Sequence, residues 1–241
     1  NATVDQPLKL AYSSDSFNSS KPGLFFGVLV YEVNKNYMPK TTSDPYNETI
    51  ENQEKFSINS TSTTSSVMES NNQSKLAVLE TAQGPITIEF FPQVAPNHVS
   101  NFEKLAESGF YNGTIFHRIV KGFVIQGGDP NTKNSTDKAA WGTGDPGYRI
   151  DSEFSNIPHE RGIVSMARSS DPNSAGSQFF IVLNDSKFLD NQYTVFGRVV
   201  NGMDAVDKIA ALATVQNDQP QDPASAKINS IKIIDRNATA N

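Results

Sequence analysis

The chain has 241 residues, 37% hydrophobic and 19% charged, with a formal net charge of −6. That length and composition fit one large domain, or one ordinary domain with an extension. The acidic balance and the lack of any Lys/Arg cluster argue against a nucleic-acid ligand, and zero Cys excludes disulfides, thiolate chemistry and Cys-ligated zinc.

Taken from the amino end, the first segment is an arm over residues 1–40. LKLAY (8–12) and GLFFGVLVYEV (23–33) read as strands, rich in Leu, Phe, Val and Tyr. Two strands alone make no stable domain, so they must pack on the downstream domain or on another chain. The apolar run Leu24–Val33 is too short to cross a bilayer, which takes about 20 residues. Residues 41–74 are more than half Ser, Thr and Asn. Such a segment buries little apolar surface against its ordering entropy and reads as a linker.

From residue 75 the pattern becomes regular. KLAVLETAQGPITIEFF (75–91) reads as two strands around a Gln83-Gly84 turn. Pro96 to Ser108 is helical, with Val99, Phe102, Leu105 and Ala106 on one face and Gly109 as the stop. Further strands are expected at Thr114–Ile119, Phe123–Gln126, Gly162–Ala167, Gln178–Leu183, Tyr193–Val200 and Lys227–Asp235, with a second helix over Met203–Ala213. Many short strands and two helices predict a mainly β fold, a closed eight-stranded antiparallel barrel capped by the helices. Residues 75–236 form that domain and 237–241 a tail.

Three His residues (His98, His117, His159) are scattered and form no cluster with carboxylates, so no metal and no cofactor is expected. Asn-x-Ser/Thr acceptors stand at Asn1, Asn18, Asn47, Asn59, Asn72, Asn112, Asn134, Asn184 and Asn237. Asn112 lies in a tight Tyr-Asn-Gly-Thr turn and is set aside as an acceptor. The chain begins with Asn and reads as a mature or trimmed form. With its polar uncharged composition, this leads us to expect an exported protein, extracellular or at the cell surface. The alternative is cytoplasmic.

The densest stretch is FHRIVKGFVIQGGDP (116–130), which places a cation and an amide on what otherwise reads as buried strand. With SMARSSDPNSAGSQFFIVL (165–183), FLDNQYTVFGRVVNGMDAVDKI (188–209), YNGTIFHR (111–118) and the GTGDPGY turn (142–148), it resembles the cyclophilins, the peptidyl-prolyl cis-trans isomerases. The resemblance runs in order over about residues 75–236.

It implies a barrel with its active groove on an outer face. Arg118 is then the catalytic arginine. Phe123, Val124, Phe180 and Leu189 line the pocket for the prolyl ring. Gln126 and Gln178 fix the peptide backbone. Ala167, Arg168 and Ser169 form the wall along which the peptide lies, and Phe188 and Tyr193 close the rim. Substrates are proline-containing peptides or proteins. The chain departs from the common family pattern at Phe188, where Trp is frequent and helps bind cyclosporin, so weak drug binding is expected. It departs also at Val124 and at the Ala-Arg-Ser wall, which is similar to prokaryotic-type sequences.

The physical chemistry suits the motif. An X–Pro bond isomerises slowly because amide resonance imposes a barrier of about 18–20 kcal/mol. A catalyst needs an apolar seat for the ring and a fixed donor near the twisting imide nitrogen. A second expectation is a structural or binding subunit of an extracellular assembly, with residues 1–40 docking on a partner or a second copy. A third is a peptide receptor without turnover.

Overall fold

The computed structural model describes residues 75–134 and 136–236. The arm, the linker and the tail lie outside them.

The chain enters on β1 (Lys75–Thr81) and turns directly into β2 (Gly84–Phe90). Thr81 sets the turn: its hydroxyl donates to the Gly84 carbonyl at 2.6 Å and accepts from the Gln83 N–H at 3.1 Å. Gly84 sits at φ +119°, a conformation that side-chain-bearing residues rarely adopt. Ala77 and Leu79 of β1 and Ile86, Ile88 and Phe90 of β2 face the core in strict alternation.

Helix α1 (Pro96–Glu107) comes next, with Pro in its first turn and Val99, Phe102, Leu105 and Ala106 buried as the spacing predicts. No neighbouring side chain caps its start. Glu153 does so from 56 residues away, accepting from the backbone N–H of Asn97 at 3.1 Å and of His98 at 2.9 Å. The remaining elements are β3 (Arg118–Val120), β4 (Val124–Gly127), β5 (Ile163–Met166), β6 (Phe179–Val182), β7 (Val195–Asn201), α2 (Met203–Ala210) and β8 (Ile228–Asp235).

All strand pairs are antiparallel, in the spatial order β3-β4-β6-β5-β7-β2-β1-β8. The sheet curls into a barrel that the strands themselves do not fully close. β3 has three residues, not the six expected over Thr114–Ile119. The residues before it turn their backbone to the other edge. Gly113 N–H donates to the Ile228 carbonyl at 2.9 Å, Phe116 N–H to the Ala226 carbonyl at 2.9 Å, and Ile228 N–H to the Thr114 carbonyl at 2.8 Å. These bonds span the seam between β3 and β8. At the other end of the sheet, Lys75 and Asp235 are register partners on β1 and β8.

α2 ends at Ala210, three residues earlier than expected. The chain there becomes a small hairpin, with Val215 N–H donating to the Gln219 carbonyl and Gln221 N–H to the Ala213 carbonyl, both at 2.8 Å.

Phe102 is the hub of the interior. Its ring lies 4.9–5.8 Å from those of Phe90, Tyr111, Phe179 and Phe196. Inner residues of β3 to β6 complete this core: Ile119, Ile125, Val164, Met166, Phe179 and Ile181. A second apolar cluster holds Phe123, Val124, Ile163, Ala167, Phe180, Val182, Leu189, Tyr193 and Val195. Alternation along each strand puts this second set on the outer face of the same sheet.

Candidate active site

The outer cluster is where the singled-out residues meet. Arg118 on β3 is the register partner of Gln126 on β4, Gln126 of Phe180 on β6, and Phe180 of Ser165 on β5. Four side chains from four strands thus stand in one row on one face. The next row is Val120, Val124 and Val182. The rigidity of the paired strands fixes the spacing, about 4.8 Å from strand to strand.

Arg118 is partly buried, its side chain 19% exposed. Burial lowers its pKa, and the Asp218 carboxylate, 3.6 Å from its Nε, works against that shift. The guanidinium remains a fixed cation. Directly before it, His117 is buried with neither ring nitrogen in a well-formed hydrogen bond. Burial, with a smaller push from the Arg118 charge and weak opposition from the Ile115 backbone, takes its pKa down to about 4. His117 is a neutral packing residue.

Gln126 and Gln178 form an oriented pair. Gln126 Nε2 donates to Gln178 Oε1 at 3.0 Å. Gln178 Nε2 in turn donates to the carbonyls of Gly144 at 2.8 Å and Gly142 at 3.2 Å. The turn carrying those carbonyls is gathered by the buried carboxylate of Asp129, which accepts from the backbone N–H of Asn131 at 2.7 Å and of Gly142, with Thr143 and Gly144 adding support. Burial nevertheless raises the Asp129 pKa. At the far end of this chain of bonds Gln126 Oε1 is buried without a partner. An unfilled acceptor on an otherwise satisfied network is rare and marks a place for an incoming donor.

Phe180 forms the floor. Tyr193 meets it edge-on at 5.5 Å between ring centres. Phe123 is buried and stacks at 5.4 Å on Phe188, which is 47% exposed. Val124 and Leu189 are buried beside them. Phe188 and Leu189 lie on a single 3-10 turn, Lys187–Leu189.

Ala167 borders the site from the end of β5. Arg168 follows it, with its side chain turned to the rim. Its guanidinium sits 4.8 Å over the Tyr193 ring, its Nε–H donates to the Gln192 carbonyl at 2.8 Å, and its Nη1 donates to the Ser169 and Ser170 carbonyls. Ser169 is turned to Ser174, which accepts its N–H at 2.9 Å and lies 2.8 Å from its hydroxyl. Trp141 packs into the inner core and donates to the Asn134 carbonyl, so it serves its loop rather than the rim.

Sequence reasoning missed the supports. His159 lies behind Phe180 with its ring stacked 6.2 Å away. Its backbone N–H and Nδ1 both reach Asp190 Oδ1, at 2.8 and 3.0 Å, and its Nε2 lies 3.0 Å from Ser165 Oγ. Asp190 fixes the Nδ1–H tautomer, so Nε2 accepts from the Ser165 hydroxyl. The Ser165-His159-Asp190 chain has the connectivity of a hydrolytic triad, but Ser165 is fully buried. It acts as a strut between β5 and the 187–190 turn. Burial lowers the His159 pKa against the pull of Asp190. Asp190 acts on a partner 31 residues away, and Asp129, a local cap for Asn131, also reaches Gly142 13 residues on, contacts that no local pattern announces.

Among the described residues, no three His, Asp or Glu side chains gather into a metal site, and no helix is long and apolar enough to cross a membrane.

Comparison with known proteins agrees with this geometry. Residues 76–233 match the family model "Cyclophilin type peptidyl-prolyl cis-trans isomerase/CLD". A probable peptidyl-prolyl cis-trans isomerase of Brucella abortus is 46% identical over 150 residues, 61% of this chain and 76% of that one. A peptidyl-prolyl cis-trans isomerase of Acinetobacter baylyi is 44% identical over 165 residues, 64% of this chain and 83% of that one. In structure, a cyclophilin-type isomerase of Cryptosporidium parvum, crystallised in the presence of the dipeptide Ala-Pro, matches with a TM-score of 0.60 and 32% identity over 67% of this chain and 99% of that one. The chain therefore belongs to the cyclophilin-type peptidyl-prolyl cis-trans isomerase family.

Proposed function

We propose that the outer face of β3 to β6 is the active groove of this isomerase and that Arg118 is its catalytic group. The observation that carries this is the register row. A held cation, an amide with an unfilled acceptor and an aromatic floor stand side by side on one rigid sheet. The prolyl ring of the substrate rests on Phe180, between Phe123, Val124 and Leu189. Gln126 Oε1 accepts a backbone N–H of the peptide. Gln178 holds Gln126 in orientation, and Tyr193 and Phe188 form the rim. Ala167 borders the peptide, while Arg168 and Ser169 shape the wall through their backbone.

Rotation about the C–N bond removes amide resonance and leaves a lone pair on a pyramidal nitrogen. A guanidinium N–H directed at that nitrogen favours the twisted state over either planar one, and only such differential binding accelerates the step. No covalent intermediate is needed.

The test is exchange NMR on a short X–Pro peptide with the full chain and its Arg118→Ala variant. Loss of exchange by a factor of about 10²–10³ in the variant is expected, the scale for removing one transition-state donor. Equal exchange in both proteins would place the chemistry elsewhere.

Action on exported or cell-surface proteins is the further part of this proposal. It is supported by the set of sequons and the polar uncharged composition. Among the described acceptors Asn134 and Asn184 are both exposed, and the Asn184 amide also donates to the Gly122 carbonyl at 3.0 Å. A glycosidase-sensitive mass shift in protein from a glycosylating host, lost in Asn134→Gln, tests it.

A further inference from the structure

Arg118 lies beside an unusual piece of backbone. The hairpin after α2 is tied at its base by the 2.8 Å bonds of Val215 to Gln219 and of Gln221 to Ala213. Its flank is anchored to another loop, with Gln219 Nε2 donating to the Lys138 carbonyl at 3.1 Å. At its tip Asn217 and Asp218 stand consecutively at φ +63° and +57°. Asn191 is the one other non-glycine residue at positive φ among the described residues. Asn and Asp tolerate this left-handed region better than other side chains, and tight hairpin turns use it at consecutive positions. The turn presents the Asp218 carboxylate 3.6 Å from Arg118 Nε.

From this juxtaposition we infer that Asp218 is a positioning residue for Arg118. An arginine side chain is long, and its rotamer freedom works against catalysis by a fixed donor. Asp218 engages the Nε edge of the planar guanidinium. The plane is thereby oriented. Asp218 is itself 47% exposed on its side chain and lies outside both apolar clusters, so its contribution falls on geometry rather than on the core. The inference rests on the reading of Arg118 as the group that meets the prolyl nitrogen.

The experiment compares the full chain with Asp218→Asn, Asp218→Glu and Arg118→Ala, using a tetrapeptide with one Ala–Pro bond. Turnover and peptide affinity are measured separately, with the unfolding midpoint and the Arg118 Nε–H resonance. For Asp218→Asn we expect turnover to fall roughly tenfold, with affinity and unfolding midpoint unchanged and the Nε–H signal shifted towards that of free arginine. Asp218→Glu, which keeps the charge, should recover most of the loss. If Asp218→Asn keeps or raises turnover while Arg118→Ala is inactive, this inference falls and the reading of Arg118 stands. If Arg118→Ala is itself active, the underlying reading falls first.

Discussion

The inner and outer faces of β3 to β6 are built from the same short strands, and both are almost entirely shielded from water. Ile119, Ile125, Val164, Met166, Phe179 and Ile181 point inward; Arg118, Val124, Gln126, Ser165, Phe180 and Val182 point outward. The inner set contains no titratable or amide side chain. The outer set carries two such groups, Arg118 and Gln126, beside apolar ones. Burial therefore does not separate core from site here. The separating feature is that polar side chains, the Arg118 cation and the Gln126 amide, stand in register among apolar ones on the outer face alone.

Matched truncations on the two faces would break this contrast most directly. Phe102→Ala removes the hub of the inner cluster and should cost about 3–5 kcal/mol in chemical denaturation. The folded fraction should keep its turnover. Phe180→Ala, equally buried, should lose comparable stability and in addition at least about tenfold in turnover per folded molecule. Equal turnover in both variants would mean that the outer cluster is simply more core.

A smaller effect divides His117 from Arg118, neighbours in sequence of which one is neutral and the other a cation. His117 is neutral in the fold, with its pKa at about 4 against an unfolded value near 6.5. A depressed histidine pKa means that the unfolded chain binds the extra proton first. The stability due to the neutral form is complete above about pH 6.5 and drains away as pH falls towards 4, by about 3 kcal/mol in all. His98 and His159, also lowered by burial, add slope in the same direction. Denaturation midpoints across pH 4–7 for wild type and His117→Asn should show a visibly shallower slope in the variant. In Arg118→Ala an NMR titration should find the His117 pKa raised, since one of the two forces depressing it is gone. The least effect is expected where neither face is touched. Asp207→Ala breaks an exposed pair with Arg161 and should cost less than about 1 kcal/mol by thermal melt.

Much of this fold is legible in the chain. Short apolar runs mark β4, β5 and β6 to within a residue, and the 3.6 spacing finds the buried face of α1. Both signals are local. The sequence pattern makes β3 too long because Thr114 and Phe116 look like strand, while their backbone bonds go to residues 226–228. The barrel consequently reads as closed from its composition, although its seam is spanned by the approach to β3 rather than by a strand pair. The residues of the groove are found through the motif that carries them. Their orienting partners are not: Asp129, Glu153, Asp190 and Asp218 are ordinary surface-type residues in sequence. Each acquires its role only when the fold brings a distant backbone or side chain to it. The guanidinium of Arg168 escapes the sequence for the same reason, since nothing local directs it onto Tyr193.

Lys75 and Asp235, the register partners at the open ends of β1 and β8, bear on how such a domain can be joined to others. Antiparallel partners have Cα atoms about 5 Å apart, so polypeptide enters and leaves at nearly one point. A domain with that property can be set into a host loop, or carry long extensions at either end, with little loop-closure entropy and no strand displaced. For this fold, architecture around the isomerase is free to vary while the groove stays intact.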